Sequence, residues 1–418
     1  MVLSFFITKN KIKSYKTNVK VCFKGDLMKK KEIKKNLIVL FGGKSVEHDI
    51  SIITGVQTLM AINKNKYNVL PIYINKEGEF LYSNSFFDIK TFSNNNLNNV
   101  KYKKVIISND SHLYFYKGKK LKQWLKIDFA FLATHGGMGE NGELQGYLDI
   151  CNIPYSSSNI LGSTLGMNKV ITKQILSNQK VPITSYFVLN QNEFRKSLEN
   201  IKDKLKDIGY PLIVKPASLG SSIGISFCKN YISVKNAISF AFLFDKTVII
   251  EKAVKNLREF NISAIGNEFK CELSDIEEVL IKKDFLSFEN KYLNKENSSK
   301  GMENTCRKIL AGMQPEIEKQ IKEIANKVYF ILNCKGVVRF DFLVNNETKE
   351  VFFNEANTIP GSLSNYLWVK KGYTFEKLLD KIIEYCLESK KYKDSKILNF
   401  SSNVLKQFEN SNKLDFKK

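Results

Sequence analysis

The sequence predicts an α/β chain whose first part is a doubly wound parallel sheet and whose later parts combine strands and helices in α+β fashion. Three observations predict it. Apolar runs are strand-sized, as in "NLIVLFG" and "KTVIIE". Segments with helical spacing alternate with those runs, and no stretch of about 18 apolar residues is present that could cross a bilayer, so no membrane role is expected. At 418 residues, 43% of them aliphatic or aromatic, the chain is long enough to bury cores in roughly two to four domains.

Residues 1–35 are Lys-rich and irregular and end in "LMKKKEIKKN", before the first convincing strand at Leu37–Phe41. They are expected to be a poorly ordered extension or an upstream-start artefact, with Met28 as the native start. A targeting segment is disfavoured, since the stretch has no arginine, no amphipathic helical face and no compact apolar region with a small-residue cleavage site. "NLIVLFGG", "DISIITGVQTLMAINK" and "YNVLPIYI" then read as strand, turn, helix and strand. The strand "DFAFLATHGG" precedes "GELQGYLDICNIP", which has helical spacing and a stop at Pro154. This first domain is assigned to residues 36–156. A smaller α/β unit, 157–250, carries one helix over "GMNKVITKQILSNQ" and the strand pair "YPLIVKPAS" and "SIGISFCK". A third begins around "TVIIEKAV", is assigned to 251–389, and runs through "VVRFDFLV" and "EVFFNEAN" to a helix ending near Ser389. Residues 390–418 are polar and are expected to form a mobile tail.

The formal net charge of +23 invites a nucleic-acid reading. The distribution argues against it: only four of the 65 basic residues are arginine (Arg195, Arg258, Arg307, Arg339), and the lysines are scattered among Asn, Ile and Phe along the whole length. Lysines of that kind serve as solvated surface and as apolar stems. Each arginine, by contrast, is a candidate for a planar, bidentate task that lysine cannot perform. Seven cysteines lie apart with no C-x-x-C pair, which indicates neither a zinc site nor a dithiol motif and fits reduced thiols in the cytosol. With only three histidines, any metal must be held mainly by oxygen, which favours magnesium.

Gly43, Lys44 and Ser45 spell the end of a Walker loop, but the glycine required five positions earlier is Ile38. In the same turn Glu47 and His48 open the next helix, where Glu47 either favours the helix dipole or holds a substrate ammonium. A stronger phosphate signal is the run from Lys215 to Gly224, "KPASLGSSIG". It follows the buried strand "YPLIV", and glycines with serines form a loop whose N–H and hydroxyl donors can wrap phosphate oxygens, with Lys215 at the strand end. The most specific chemistry lies at Arg339-Phe340-Asp341 and Asn354-Glu355-Ala356-Asn357. Period two puts Arg339 and Asp341 on one face, and Glu355 with Asn357 on the neighbouring strand. Two carboxylates and an amide there form a hard-oxygen site for one or two magnesium ions bridging nucleotide phosphates; the alternative is an edge salt-bridged to Arg339.

The ordered set "GGKSVEHDIS", "HGGMGENGELQGYL", "GMNK", "YPLIVKPASLGSSIG", "IIEKAVKNLREF", "KYL", "VVRFDFLV" and "NEANTIPG" resembles D-alanine–D-alanine ligases of the ATP-grasp superfamily over about residues 36–388. The resemblance implies a three-domain ATP-grasp architecture with ATP held between two antiparallel sheets. It implies that Lys169 and Lys215 hold ATP phosphates, that the Ser221-Ser222 loop closes over the γ-phosphate, and that Glu251, Lys252 and the linker to Val254 contact adenine. Glu259 matches the ribose-binding carboxylate, and Asp341, Glu355 and Asn357 match the ligands of two Mg²⁺ (or Mn²⁺) ions. Glu47 matches the holder of the first D-alanine's ammonium, with Ser221 and Tyr292 completing its hydrogen-bonded group. Arg339 and the Gly361 N–H match the oxyanion donors. The segment "SFENKYLNKENSSKGMENTCRKI" matches a lid on which Lys291 and Tyr292 shield the acyl phosphate, and Tyr292 favours D-alanine over D-lactate. The family more often shows a Ser-Leu pair for the second substrate's carboxylate where this chain has Tyr366-Leu367. Asn168 and Asn141 replace the family's usual aspartates. The implied protein is a cytoplasmic homodimer acting on ATP and D-alanine in peptidoglycan precursor synthesis, with a ligase for D-serine or D-lactate as the alternative.

Overall fold

The first strand shows how the chain starts its core. In the computed structural model, which describes residues 34–93, 96–196, 198–279, 307–309, 313–397, 399 and 401–410, β1 (Lys35–Gly42) is buried from Leu37 onward on both faces. A strand apolar on both faces belongs in the middle of a parallel sheet. Helix α1 (His48–Ala61) returns the chain to β2 (Tyr67–Ile74), parallel to β1. Four strands then follow: β3 (Phe80–Tyr82), β4 (Lys103–Ile107), β5 (His112–Lys117) and β6 (Lys120–Lys126). After them β7 (Phe129–Leu132) pairs in parallel with the other side of β1. The sheet order is β6-β5-β4-β3-β2-β1-β7. Only β2-β1-β7 is parallel, so the doubly wound expectation holds for the centre of the sheet, while β3 to β6 extend it antiparallel. Short links such as Lys117 to Lys120 leave no room for the crossover helix that parallel pairing needs. Helix α2 (Glu143–Ile150) follows the loop after β7.

The sequence predicts one helix over "GMNKVITKQILSNQ"; most of that run is α4 (Lys169–Asn178), but its first two residues, Gly166 and Met167, end a separate preceding helix, α3 (Ile160–Met167). Asn168 between them is extended, and its side chain accepts from the Ile171 N–H, so it ends one helix and caps the next. Next come β8 (Tyr186–Asn190), α5 (Gln191–Lys196), α6 (Leu198–Ile208), β9 (Leu212–Pro216), β10 (Ser226–Cys228), α7 (Tyr231–Ala241) and β11 (Thr247–Lys252). The second sheet runs β10-β9-β11-β8, all antiparallel. Strand β11, where the third part was expected to begin, is therefore central to the second sheet.

The third sheet, β14-β13-β12-β15-β16, is antiparallel throughout and holds β12 (Leu257–Gly266), β13 (Cys271–Val279), β14 (Arg307–Ile309), β15 (Gly336–Asn345) and β16 (Val351–Asn357). Helix α8 (Pro315–Ile331) buries Ile317, Ile321, Ala325 and Val328 at helical spacing. They pack into one cluster with Phe260, Ile262, Val338, Phe340, Phe342 and Val344, alternate residues of β12 and β15. Because side chains alternate across a strand, that packing turns Asn261, Arg339 and Asp341 to the opposite face. Helix α9 (Phe375–Asp394) runs past the expected end at Ser389, and α10 (Val404–Asn410) lies within the stretch expected to be a tail. Among the described residues no helix is long and apolar enough to cross a membrane.

Candidate active site

The face of the third sheet turned away from α8 carries the densest polar group. Across β15 and β16, Arg339 lies opposite Asn357 and Asp341 opposite Glu355. On the other flank of β15, Asp341 lies opposite Asn261, which in turn lies opposite Glu277 of β13. The Arg339 guanidinium grips Asp341 with two hydrogen bonds, Nε to Oδ1 at 2.7 Å and Nη2 to Oδ2 at 2.8 Å. The Asn357 amide donates to Asp341 Oδ2 at 3.2 Å. Burial alone would loosen the Arg339 proton, but Asp341 outweighs it and holds the guanidinium charged.

A β-bulge makes this arrangement possible. Moving from Asp341 to Phe342 on β15 moves the partner from Glu355 to Phe353, so Asn354 is the extra residue. Without it, period two would put Phe353 and Glu355 on the same face; with it, Phe353 joins the apolar core and Glu355 faces the polar side. Asn354 Oδ1 accepts from Lys215 Nζ at 3.1 Å, joining the second sheet to the third.

The second sheet and α4 contribute the cations. Lys169 opens α4, donates to the Leu219 carbonyl at 2.6 Å and stands 3.6 Å from Glu355. One turn later, Lys173 reaches Glu251 at 3.4 Å, and Lys215 reaches the same carboxylate oxygen at 3.3 Å. Burial pushes the Glu251 carboxyl up, but Lys173 and then Lys215 outweigh it and bring it down to about 2. At the end of β11 the Lys252 ammonium donates to the Tyr210 carbonyl at 2.9 Å, and just beyond the strand Val254 is half-buried. Glu259 is also half-buried, two residues before Asn261 on β12 and hence on the same face.

At the first domain's edge, Ser221 Oγ donates to the Glu47 carboxylate, linking the loop after β9 to the start of α1. Two glycines permit this approach: a Cβ on Gly220 would stand 2.8 Å from Glu47 Oε2, and one on Gly136 2.6 Å. Ser221 and Ser222 both take left-handed backbone angles, with φ of 54° and 59°. Glu140 accepts from the Gly136 N–H at 2.8 Å and the Ile359 N–H at 2.9 Å, tying that loop to the segment before Gly361. His135, buried and pushed down to about 4 by that burial, sits between Thr54 and the Ile359 carbonyl. Gly361 opens a 3-10 turn, Gly361–Leu367, in which the Tyr366 hydroxyl donates to Glu277 at 2.9 Å and the Leu367 side chain is buried. Lys291, Tyr292 and the expected lid as far as Cys306 lie outside the described residues, whereas the segment's last three residues, Arg307–Ile309, form β14 at the edge of the third sheet.

The structure thus pairs Lys169 with Glu355, Lys215 with Glu251, and Arg339 and Asn357 with Asp341, and pairs Glu47 with Ser221. The sequence reading missed Lys173, Asn261, Glu277 and Glu140. Lys173 was detectable as the residue four after Lys169, and Asn261 as two after Glu259; Glu277 carries no local signal. Among the described residues no three His, Cys, Asp or Glu side chains cluster as a metal site. A cation here would rely on two carboxylates, an amide and phosphate oxygens, a hard-oxygen set that suits Mg²⁺.

Two antiparallel sheets, with Lys169 of α4 and Lys215 of the second sheet reaching Glu355 and Asn354 of the third, are the arrangement of an ATP-dependent, ADP-forming ligase of the ATP-grasp fold. The chain matches the family models for the D-ala D-ala ligase N-terminus over residues 36–158 and the D-ala D-ala ligase C-terminus over 175–384. It belongs to the D-alanine–D-alanine ligase family. A D-alanine–D-alanine ligase of Thermosipho melanesiensis is 40% identical over 376 residues, 89% of this chain and 98% of that protein. The structure of the D-alanine-D-alanine ligase from Coxiella burnetii matches with a TM-score of 0.73 over 90% of this chain and 99% of its own, at 24% identity, and so speaks to the fold. A D-Ala:D-Ser ligase from Enterococcus faecalis matches with a TM-score of 0.71 at 26% identity, covering 85% of this chain and 100% of its own.

Proposed function

We propose that this enzyme joins two D-alanines into D-alanyl-D-alanine for peptidoglycan precursor synthesis, through a D-alanyl phosphate intermediate. The observation that carries the reading is the register of β15 with β16, which sets Arg339 and Asp341 against Asn357 and Glu355 beside Lys169 and Lys215. The relative at 40% identity is named for D-alanine alone, which supports D-alanine as both substrates.

A carboxylate is a poor electrophile. Its oxygen first attacks the γ-phosphorus of ATP and ADP departs; the second amine then attacks the acyl carbon and phosphate departs. Lys169, Lys215 and the Ser221-Ser222 loop hold the phosphates, Glu251 and the linker to Val254 hold adenine, and Glu259 holds the ribose. Asp341, Glu355 and Asn357 would hold two Mg²⁺ (or Mn²⁺) ions, which when bound neutralise phosphate charge. Glu47, steadied by Ser221 and Tyr292, takes the ammonium of the first D-alanine. Arg339 and the Gly361 N–H stabilise the oxyanion as the tetrahedral intermediate forms. The Tyr366-Leu367 turn receives the second carboxylate, and Lys291 with Tyr292 keeps water from the acyl phosphate.

The three sheets support three parts, the second extending through β11. A cytoplasmic homodimer completes the proposal and is checked by sedimentation. Phosphate release assayed with D-alanine against a panel of D- and L-amino acids tests the whole: rapid release with D-alanine is expected, and no ADP formed from paired D-alanines would refute it.

A further inference from the structure

Lys173 is a buried cation to which the mechanism above gives no task. Its side chain is 1% exposed, and burying an ammonium is costly unless it is paired and hydrogen-bonded. Its partners are Glu251, at 3.4 Å, and the Thr184 hydroxyl, at 3.3 Å. Thr184 Oγ1 lies 3.0 Å from the same Glu251 oxygen, Oε2, and Lys215 reaches it at 3.3 Å. Three groups therefore converge on Oε2. The other oxygen, Oε1, is buried with no hydrogen-bond partner among the described residues.

Lys215 divides its contacts between Glu251 and Asn354, whereas Lys173 serves Glu251 and its neighbour Thr184. The helix provides for this: Lys169 and Lys173 are four residues apart on α4 and point the same way, one toward Glu355 and the other toward Glu251. An ionised carboxylate accepts hydrogen bonds and donates none, so an anchored Oε2 leaves Oε1 as a fixed, acceptor-only position. Such a position suits the exocyclic amine of adenine and opposes the carbonyl that a 6-oxopurine carries there. We propose that Lys173 is a positioning residue that holds Glu251 as this acceptor and thereby sets the preference for adenine over a 6-oxopurine nucleotide; the proposal rests on the reading that Glu251 faces the base. The low proton affinity of Glu251, which Lys173 contributes to most among its neighbours, agrees with it.

The test compares ATP with inosine triphosphate in the full chain, using phosphate release with D-alanine. Lys173→Met keeps most of the unbranched side chain, one atom shorter, and removes its charge. It is expected to raise the KM for ATP about tenfold, to leave kcat and the KM for D-alanine within about threefold, and to shrink the ATP-over-ITP ratio of kcat/KM about tenfold. A merely structural lysine would move both substrates' KM together and leave the nucleotide ratio intact, and that result overturns the proposal. Glu251→Gln, whose amide can accept from adenine or donate to a 6-oxo group, separates the two layers. If E251Q keeps the parent's preference, Glu251 does not read the base and both ideas fall; if E251Q loses it while K173M keeps it, only the role of Lys173 is wrong. Should K173M fail to fold by circular dichroism, Thr184→Val takes its place, with a reduced ATP-over-ITP ratio expected and an unchanged ratio decisive against the proposal.

Discussion

Arg339 and Asp341, two residues apart on one strand, are joined by a pair of parallel hydrogen bonds of 2.7 and 2.8 Å. The strand's period places both side chains on the face opposite α8, so a proposed oxyanion donor and a proposed metal ligand orient each other. Lysine could supply the charge of Arg339 but not its two-pronged geometry.

Replacing Arg339 by Ala is therefore expected to lower kcat on the order of 10²-fold or more, with a much smaller change in ATP affinity. Steady-state kinetics paired with ADP titration calorimetry checks this. Near-normal turnover would remove Arg339 from the oxyanion assignment.

Glu355 faces Asp341 across the ladder and stands 3.6 Å from the Lys169 ammonium. Glu355→Gln keeps the shape but removes a charge that a divalent ion and its phosphates would require. ADP formation is expected to fall to background at any magnesium concentration, while chelation of the wild type gives the same loss reversibly. A Gln variant that forms ADP at the parent's rate contradicts the metal assignment.

Burial, and next the nearby Glu47, push Glu140 from its ordinary 4.5 up to about 8. Between those values the folded chain binds a proton that the unfolded chain does not. Stability attributable to Glu140 is therefore full below about pH 4.5 and declines as pH rises toward 8. Glu140→Gln is expected to flatten this decline, measured as Tm from pH 5 to 8.5; parallel curves for the two proteins would exclude it.

A methyl group on Gly220 would stand 2.8 Å from Glu47 Oε2, and the carboxylate must move to admit it. Gly220→Ala should raise the KM for D-alanine about tenfold or more, with little effect on the KM for ATP. Equal rises in both KM values would point to general damage to the loop instead.

Asn168 caps α4, from which Lys169 and Lys173 project. Losing such a cap typically costs about 1 kcal/mol, so Asn168→Ala should lower unfolding stability by that order in urea titration. An unchanged midpoint would mean that the helix starts are set by tertiary packing alone.

The legible parts of this protein were those carried by short-range pattern. Strand β2 has the boundaries its apolar run indicates, and the pairing of Arg339 with Asp341 on one face follows from period two. The split of α3 from α4 was misread because Asn168 suits a helix interior poorly yet does not by itself announce a cap. The antiparallel strands β3 to β6 escaped notice because they are short, β4 to β6 carry lysines among their apolar residues, and an asparagine-rich link separates β3 from β4. Glu277 and Glu140 were invisible as site residues because their partners, Tyr366 and Ile359, are 89 and 219 positions away.

By itself the sequence determined which residues alternate with the core, where glycines must stand, and which side chains carry the charge. Only the tertiary structure decided how the pieces meet: that β11 completes the second sheet, that Lys173 and Lys215 converge on one oxygen of Glu251, and that the bulge at Asn354 sends Phe353 inward and Glu355 outward. The reason is physical. Periodicity is a property of one strand or helix, whereas register and the placing of an extra residue are settled by the partner strand and by the burial available on each side.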